Sequence, residues 1–271
     1  MNTKQNLHVH STFCDGKDTP EEMIETAIER GFGSIGFSVH SYVSASPFGM
    51  VTPKKINTFN EAIPRIKEKY RGIIDIYKGI EYDIYSDCGF DGYDYTIASV
   101  HYLKTNEGRK TFDVGADATA EYIDKYFDND PMKFAKVYYD AVASMSEYGS
   151  FDVIGHFDLI TKNNEIKSFF DTESKEYLSL AFDAIRTLKN KIPFFEVNTG
   201  AISRGYRTSP YPQIDILREL KANGFGAVIS SDCHDRRYVD CFYEEAKALL
   251  AHVGFNSRFI LTQNGFEEVA L

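Results

Sequence analysis

Short apolar runs alternate along this chain with longer amphipathic ones. The segments 6–10, 34–39, 73–82, 93–100, 153–156, 193–198, 227–231 and 258–261 are rich in Val, Ile, Phe and Tyr and read as strands. Most of the intervals carry the 3.6-residue apolar period of a helix. Thr19-Pro20-Glu21-Glu22 predicts a helix start, with Thr19 as N-cap, Pro20 in the first turn and Glu22 reaching back to the cap. Met23, Ala27 and Ile28 form its apolar stripe and Gly31 ends it. Pro53 opens a second helix with Ile56, Phe59, Ile63 and Ile66 on one face, and further helices are predicted over 116–127, 131–148, 172–189, 214–223 and 238–252. Strands separated by helices imply a parallel sheet covered on both faces. An α/β barrel and an open doubly wound sheet both satisfy that pattern.

Composition narrows the class. The 271 residues are 43% hydrophobic, enough for a large core, and they show no repeat, low-complexity tract or Pro/Gly-rich linker that would mark a domain boundary. Lys and Arg number 30 against 40 Asp and Glu, a formal charge of −10. A broad nucleic-acid-binding surface needs clustered cations and is disfavoured, whereas a small anion held by a few local cations is not. No apolar run approaches the ~18 residues of a membrane span, and residues 1–10 lack the layout of a signal peptide. Cys14, Cys88, Cys233 and Cys241 form no CxxC pair, which points to a reducing, cytoplasmic location.

The histidines are not scattered. Six of the seven, His8, His10, His40, His101, His156 and His234, fall at or just beyond the C-terminal end of a predicted strand, where Glu81 and Asp232 also lie. In parallel α/β folds that edge is where ligand sites assemble. His8 and His10 are two residues apart, so on a strand both rings project to one side. Ser231-Asp232-Cys233-His234 repeats the spacing with a carboxylate and an imidazole. Divalent transition metals favour this mixture, and a shared carboxylate such as Glu81 can bridge two ions. Cys14 and Cys233 read as small packing residues, Cys233 pointing away from Asp232 and His234 on an extended segment. His252, late in a helix, stands outside the set.

The run His8-Val9-His10-Ser11-Thr12-Phe13-Cys14-Asp15-Gly16 resembles the opening motif of the polymerase-and-histidinol-phosphatase (PHP) superfamily. Ser38-Val39-His40-Ser41, Gly79-Ile80-Glu81-Tyr82, Ser99-Val100-His101-Tyr102, Gly155-His156-Phe157-Asp158 and Ser231-Asp232-Cys233-His234 match in order, and the whole is most similar to the histidinol-phosphate phosphatase branch. The resemblance implies a distorted (β/α)7 barrel with three divalent ions (Zn, Fe or Mn) at the C-terminal ends of the strands. It implies one ion held by His8, His10, Glu81 and Asp232. A second is shared through Glu81 with His101 and His156, and a third is held by Asp15, His40 and His234. Asp15 stands where several relatives carry His. On this basis residues 1–271 are expected to form one barrel domain with an insertion around 103–150.

The implied activity is hydrolysis of L-histidinol phosphate to L-histidinol and phosphate in histidine biosynthesis, a metal-bridging hydroxide attacking phosphorus in line. Asn198-Thr199-Gly200-Ala201-Ile202-Ser203-Arg204-Gly205-Tyr206-Arg207 follows a predicted strand and offers Arg204 and Arg207 as phosphate ligands. His40 and the Asp232/His234 pair are the candidates for protonating the leaving oxygen. Asp83, Asp87, Asp91 and Asp94 are either an ammonium pocket or a solvated loop, and Tyr42, Phe48 and Tyr102 are the aromatics placed to stack on an imidazole. The competing readings are a PHP-type nucleotide phosphoesterase or nuclease, a non-catalytic metal-binding regulatory module, and an amidohydrolase, whose ligand order fits less well.

Overall fold

The computed structural model describes residues 2–44 and 51–271; Phe48 lies outside them. The strands are β1 (Gln5–Asn6), β2 (Ser34–His40), β3 (Asp75–Asp83), β4 (Tyr95–Ser99), β5 (Tyr102–Thr105), β6 (Gly108–Thr111), β7 (Val153–Ile154), β8 (Phe194–Asn198), β9 (Gly226–Ser230), β10 (Ser257–Thr262) and β11 (Gly265–Ala270). Seven form one sheet in the order β1-β2-β3-β4-β7-β8-β9, every neighbouring pair parallel. Val9 bridges Cys233 in parallel beyond the ends of β1 and β9, and this closes the sheet into a (β/α)7 barrel. The pairs β5–β6 and β10–β11 are antiparallel hairpins outside it. No helix among the described residues is long and apolar enough to cross a membrane.

The helices are α1 (Pro20–Glu29), α2 (Pro53–Lys69), α3 (Ala116–Phe127), α4 (Pro131–Ala143), α5 (Met145–Tyr148), α6 (Lys175–Leu188), α7 (Gly200–Ser203), α8 (Ile214–Ala222) and α9 (Tyr243–Val253). The capping box at α1 forms as its sequence predicts: Thr19 accepts from the Glu22 N–H and Glu22 accepts from the Thr19 N–H. The buried stripe of α1 is Met23, Ile24 and Ala27, while Ile28 is 36% exposed. At about 100° per residue, Ile28 falls at the margin of the arc centred between Met23 and Ile24. The expected helix over 131–148 breaks at Ser144, whose hydroxyl donates to the Ala141 carbonyl. The one expected over 238–252 starts only at Tyr243, after a 3-10 turn at Arg236–Tyr238 and Phe242 at φ 51°. The expected single strand over 258–261 is one arm of the β10–β11 hairpin. Between β4 and β7 the chain runs through the β5–β6 hairpin and α3, α4 and α5, and Tyr139 on α4 meets Tyr177 on α6, their hydroxyls 2.8 Å apart.

Strand alternation divides the barrel into two faces. On β3 and β4, Ile76, Ile80, Tyr82 and Ala98 join the large core beneath the helices. Tyr77, Tyr95 and Ile97 turn to a second cluster with Leu7, Val153, Val228 and Leu261. That second cluster is the apolar floor of the barrel. Tyr95 donates a hydrogen bond to the Leu7 carbonyl across it. Its ring fills the space a side chain would need at two glycines: a Cβ at Gly79 would lie 2.1 Å from Tyr95 Cζ, and one at Gly36 would lie 2.4 Å from its hydroxyl. Gly79→Ala is therefore expected to destabilise the fold by about 1–3 kcal/mol through overpacking. Gly89→Ala, with nothing within 4 Å of the added carbon, is the control. Urea unfolding of the two variants checks this, and equal midpoints would contradict the packing described.

Candidate metal centre

Above the apolar floor, the strand ends deliver polar side chains to the barrel mouth. β2 ends on His40 and β3 carries Glu81, which pair in register. β4 and β7 lead into His101 and His156, and the closing segments bring His8 and His10 against Asp232 and His234. The nine residues His8, His10, Asp15, His40, Glu81, His101, His156, Asp232 and His234 thus come together from sites spread over most of the chain. Glu81 occupies the centre. Its Oε2 lies 3.2 Å from His8 Nε2, 3.5 Å from His10 Nε2 and 2.9 Å from His40 Nδ1. Its Oε1 lies 3.2 Å from His101 Nε2 and 2.8 Å from His156 Nε2. One oxygen faces each of two ligand sets, the disposition a bridging carboxylate requires. Asp232 Oδ1 lies 3.7 Å from His8 Nε2 and 3.3 Å from His10 Nε2. Asp15 Oδ1 lies 3.5 Å from His40 Nε2 and 3.3 Å from His234 Nε2.

Ligand atoms within 4.8 Å of one another form three groups: His8/His10/Asp232, His40/Glu81/His101 and His10/Asp15/His40/His234. They differ from the sets implied by resemblance in that His10 and His40 each belong to two groups, Glu81 is not grouped with His8, His10 and Asp232, and His156 is in none of the three and meets the site through Glu81. The donor set suits divalent ions for a further reason. His8 Nε2, His10 Nε2, Asp15 Oδ1 and Glu81 Oε2 are buried, and apart from the imidazole–carboxylate approaches just given none has a hydrogen-bond partner among the described residues. Buried polar atoms are rarely left unsatisfied, and cations at the points these four face would satisfy them.

The electrostatics agree. Burial opposes charge on Glu81, but His8, His40 and His101 hold its carboxyl well below the usual carboxylate range. Asp232, likewise buried, is held well below it by Arg204 and His8, and Asp15 by His40 and His234. Against the effect of burial, Glu196, Glu81 and Asp232 raise His8, and Glu81 and Asp83 bring His101 up to about 9. His10 differs: burial and the neighbouring His234 and His40 rings push it down to about 3. Carboxylates stay ionised here because positive charge surrounds them, whether from protons or from metal ions.

The site opens into a cavity of about 230 Å³ lined in part by Asp15, His40, Asp113, Lys162, Arg204 and His234. Arg204 lies at the mouth. Its Nη2 donates to Asp232 Oδ2 at 3.0 Å, and its Nη1 donates to the Asp232 carbonyl at 2.9 Å and lies 3.1 Å from His234 Nδ1. Arg207 turns away instead. It donates to Thr161 Oγ1 and, at 3.3 Å, to Ser209 Oγ, lies 3.5 Å from buried Asp158, and sits over the Tyr211 ring. It lines a separate cavity of about 280 Å³, because the Asp158 carboxylate captures its guanidinium. Tyr102 is buried in the core, and neither it nor Tyr42 is among the residues lining the mouth cavity.

Among the described residues, none of the acidic side chains after Glu81 (Asp83, Asp87, Asp91, Asp94) lines the mouth cavity. Asp83 is buried and accepts from the His101 N–H at 2.7 Å. Asp87 accepts from the N–H and hydroxyl of Ser44, Asp94 holds Lys67, and Asp91 is exposed. Cys233 is buried as expected, but its segment is not extended, since Asp232 has φ 46°. Cys14 does more than fill space: its Sγ lies 3.3 Å from His10 Nδ1.

Three residues at the site are not singled out by sequence reasoning. Lys162 lines the cavity with its ammonium 2.5 Å from Asp113 and over the Tyr206 ring. Only the turn at Leu159–Thr161 brings Lys162 to the mouth, and neither it nor Asp113 has a local signal. Glu196, just below the ligands, had one, as a lone carboxylate inside the apolar strand Phe-Phe-Glu-Val-Asn.

A family model of the PHP domain matches residues 6–200, and the chain belongs to that family. It is 27% identical over 265 residues to the histidinol-phosphatase of Bacillus subtilis (strain 168), covering 89% of this chain and 97% of that protein. Among solved structures, HisK from Listeria monocytogenes superposes with a TM-score of 0.77 at 20% identity, over 89% of this chain and 99% of that one. Histidinol phosphate phosphatase (HisK) from Lactococcus lactis, complexed with Zn, L-histidinol and phosphate, gives 0.70 at 18% identity over 98% and 99%. Both structural likenesses are likenesses of fold.

Metal stoichiometry tests the geometry. Glu81→Ala, which removes the carboxylate facing two sets, is expected to lose at least two ions per chain, and Asp15→Ala one, relative to a three-ion protein. Elemental analysis of the folded variants reads this directly. Equal losses would contradict the bridging position of Glu81.

Proposed function

We propose that this chain is a metal-dependent phosphomonoester hydrolase that converts L-histidinol phosphate to L-histidinol and phosphate in histidine biosynthesis, a cytoplasmic process. In this reading residues 1–271 act as one barrel domain, with 103–150 as an excursion from it. The observation that carries it is one cavity lined by seven of the nine candidate ligands, Asp15, His40, Glu81, His101, His156, Asp232 and His234, together with two cations, Arg204 and Lys162. The Bacillus subtilis relative supports the choice of substrate.

His8, His10, Glu81 and Asp232 would hold one ion, Glu81, His101 and His156 a second, and Asp15, His40 and His234 a third. Such ions supply Lewis-acid neutralisation of phosphoryl charge and bring the pKa of water toward neutrality. The chain's own residues supply orientation and charge. Arg204, anchored on Asp232, presents a guanidinium suited to paired phosphate oxygens. Lys162 adds a point charge on the other wall, steadied by Asp113. Among the histidines at the mouth, His234 is the more open, with 22% of its side chain exposed against 6% for His40. That exposure suits His234, where its Nε2 is not engaged by the third ion, to pass a proton to the leaving oxygen, with the Asp232 carbonyl holding its Nδ1.

The decisive assay is phosphate release from L-histidinol phosphate against a panel of other monoesters by metal-loaded protein. Preference for histidinol phosphate is expected, and activity confined to nucleotides would overturn the substrate assignment. Arg204→Ala is expected to lower kcat/KM by about 10–100-fold, the equivalent of one charge-assisted contact of ~1.5–3 kcal/mol. An unchanged kcat/KM would remove Arg204 from phosphate binding.

A further inference from the structure

The geometry points to Glu196 as a positioning residue that fixes the ring of His8 and the backbone of His156, and thereby sets the metal affinity of the site. The inference rests on the metal-centre reading above but not on the substrate. Glu196 belongs to none of the ligand groups. It lies on β8, 1% exposed, beneath the mouth. Its Oε2 is 2.9 Å from His8 Nδ1 and accepts from the Ser230 hydroxyl at 2.5 Å. Its Oε1 accepts from the His156 N–H and from Asn198 Nδ2, both at 2.7 Å. Four donors therefore converge on two oxygens.

An ionised carboxylate only accepts hydrogen bonds, so the His8 proton must sit on Nδ1. Nε2 is then turned toward Glu81 Oε2 at 3.2 Å and Asp232 Oδ1 at 3.7 Å, with its lone pair available to a cation. At His156 the bond is to the backbone, and it sets the end of β7 so that Nε2 reaches Glu81 Oε1 at 2.8 Å. His8 and His156 belong to different ligand sets, so a single buried carboxylate braces both. Asn198 extends the brace by donating also to Asp232 Oδ2 at 3.4 Å. A carboxylate behind a ligating imidazole orients the ring and raises its basicity, and its loss typically costs about 10–100-fold in metal affinity. Glutamine cannot substitute, because one of its two ends would present an NH2 group to two donors.

The test is zinc affinity by chelator competition in wild type and Glu196→Gln, with circular dichroism and urea unfolding of the metal-free proteins alongside. The expected result is a 10–100-fold loss of affinity in a variant that is folded without metal. In parallel, 15N NMR of the zinc-loaded wild type is expected to show His8 protonated at Nδ1 and not at Nε2, a readout that needs no variant to fold. A folded Glu196→Gln protein with wild-type zinc affinity would overturn the proposal, as would His8 carrying its proton on Nε2. A wild-type protein that binds no zinc would instead overturn the metal-centre reading itself. Failure to hydrolyse histidinol phosphate would leave the role of Glu196 standing.

Discussion

The mouth of this barrel depends on how the sheet closes. Val9 and Cys233 pair in parallel, with the His10 N–H donating to the Cys233 carbonyl at 2.8 Å and the Cys233 N–H to the His8 carbonyl at 3.2 Å. His8 and His10 flank one partner, and Asp232 and His234 flank the other. A single non-local backbone contact therefore sets two ligand pairs face to face. Asn6 reinforces the seam: its amide donates to the Ser231 hydroxyl at 2.6 Å and its carbonyl accepts from the Ser231 N–H at 3.2 Å. Slippage of either strand by one residue would turn its ligands out of the mouth, because side chains alternate with period two.

Within the closed barrel, apolar and polar layers have separate work. The floor of Leu7, Tyr77, Tyr95, Ile97, Val153 and Val228 supplies burial, and Tyr95 fits only because Gly36 and Gly79 leave room for it. The roof concentrates carboxylates that would be costly to bury alone. Each is opposed by a nearby imidazole, guanidinium or ammonium. The formal charge of −10 is thus a poor guide to the site. Arg204 and Lys162 line the mouth, and divalent ions held by the ligand set would add to the positive charge there.

One residue with a left-handed backbone lies at the same place. Asp232 sits at φ 46°, a left-handed conformation that costs a non-glycine residue of order 1–3 kcal/mol and persists where the surroundings over-determine it. Gly200 is one such surrounding: a Cβ there would lie 2.8 Å from the Asp232 Cβ. Arg204 is another, since it grips both the carbonyl and the carboxylate of Asp232. The loop that carries Arg204 and the turn that carries Asp232 therefore hold each other in place.

The alternation of apolar runs and amphipathic segments determined by itself that the sheet is parallel and covered by helices, because strand and helix periods are local properties of sequence. The placing of six histidines, Glu81 and Asp232 at strand ends was equally legible, since every parallel strand delivers its C-terminal residues to one edge. Whether the sheet closed was not legible, because closure rests on contacts between residues 6–10 and 231–234, far apart in sequence. Nor was the fate of the two arginines. Local sequence favours Arg204 over Arg207 only slightly, and only the fold sends one to Asp232 in the mouth and the other to Asp158 behind it. Lys162, Asp113 and Glu196 were decided the same way: a charged residue acquires its role from the buried partner it meets, and partners distant in sequence meet only when the chain is folded.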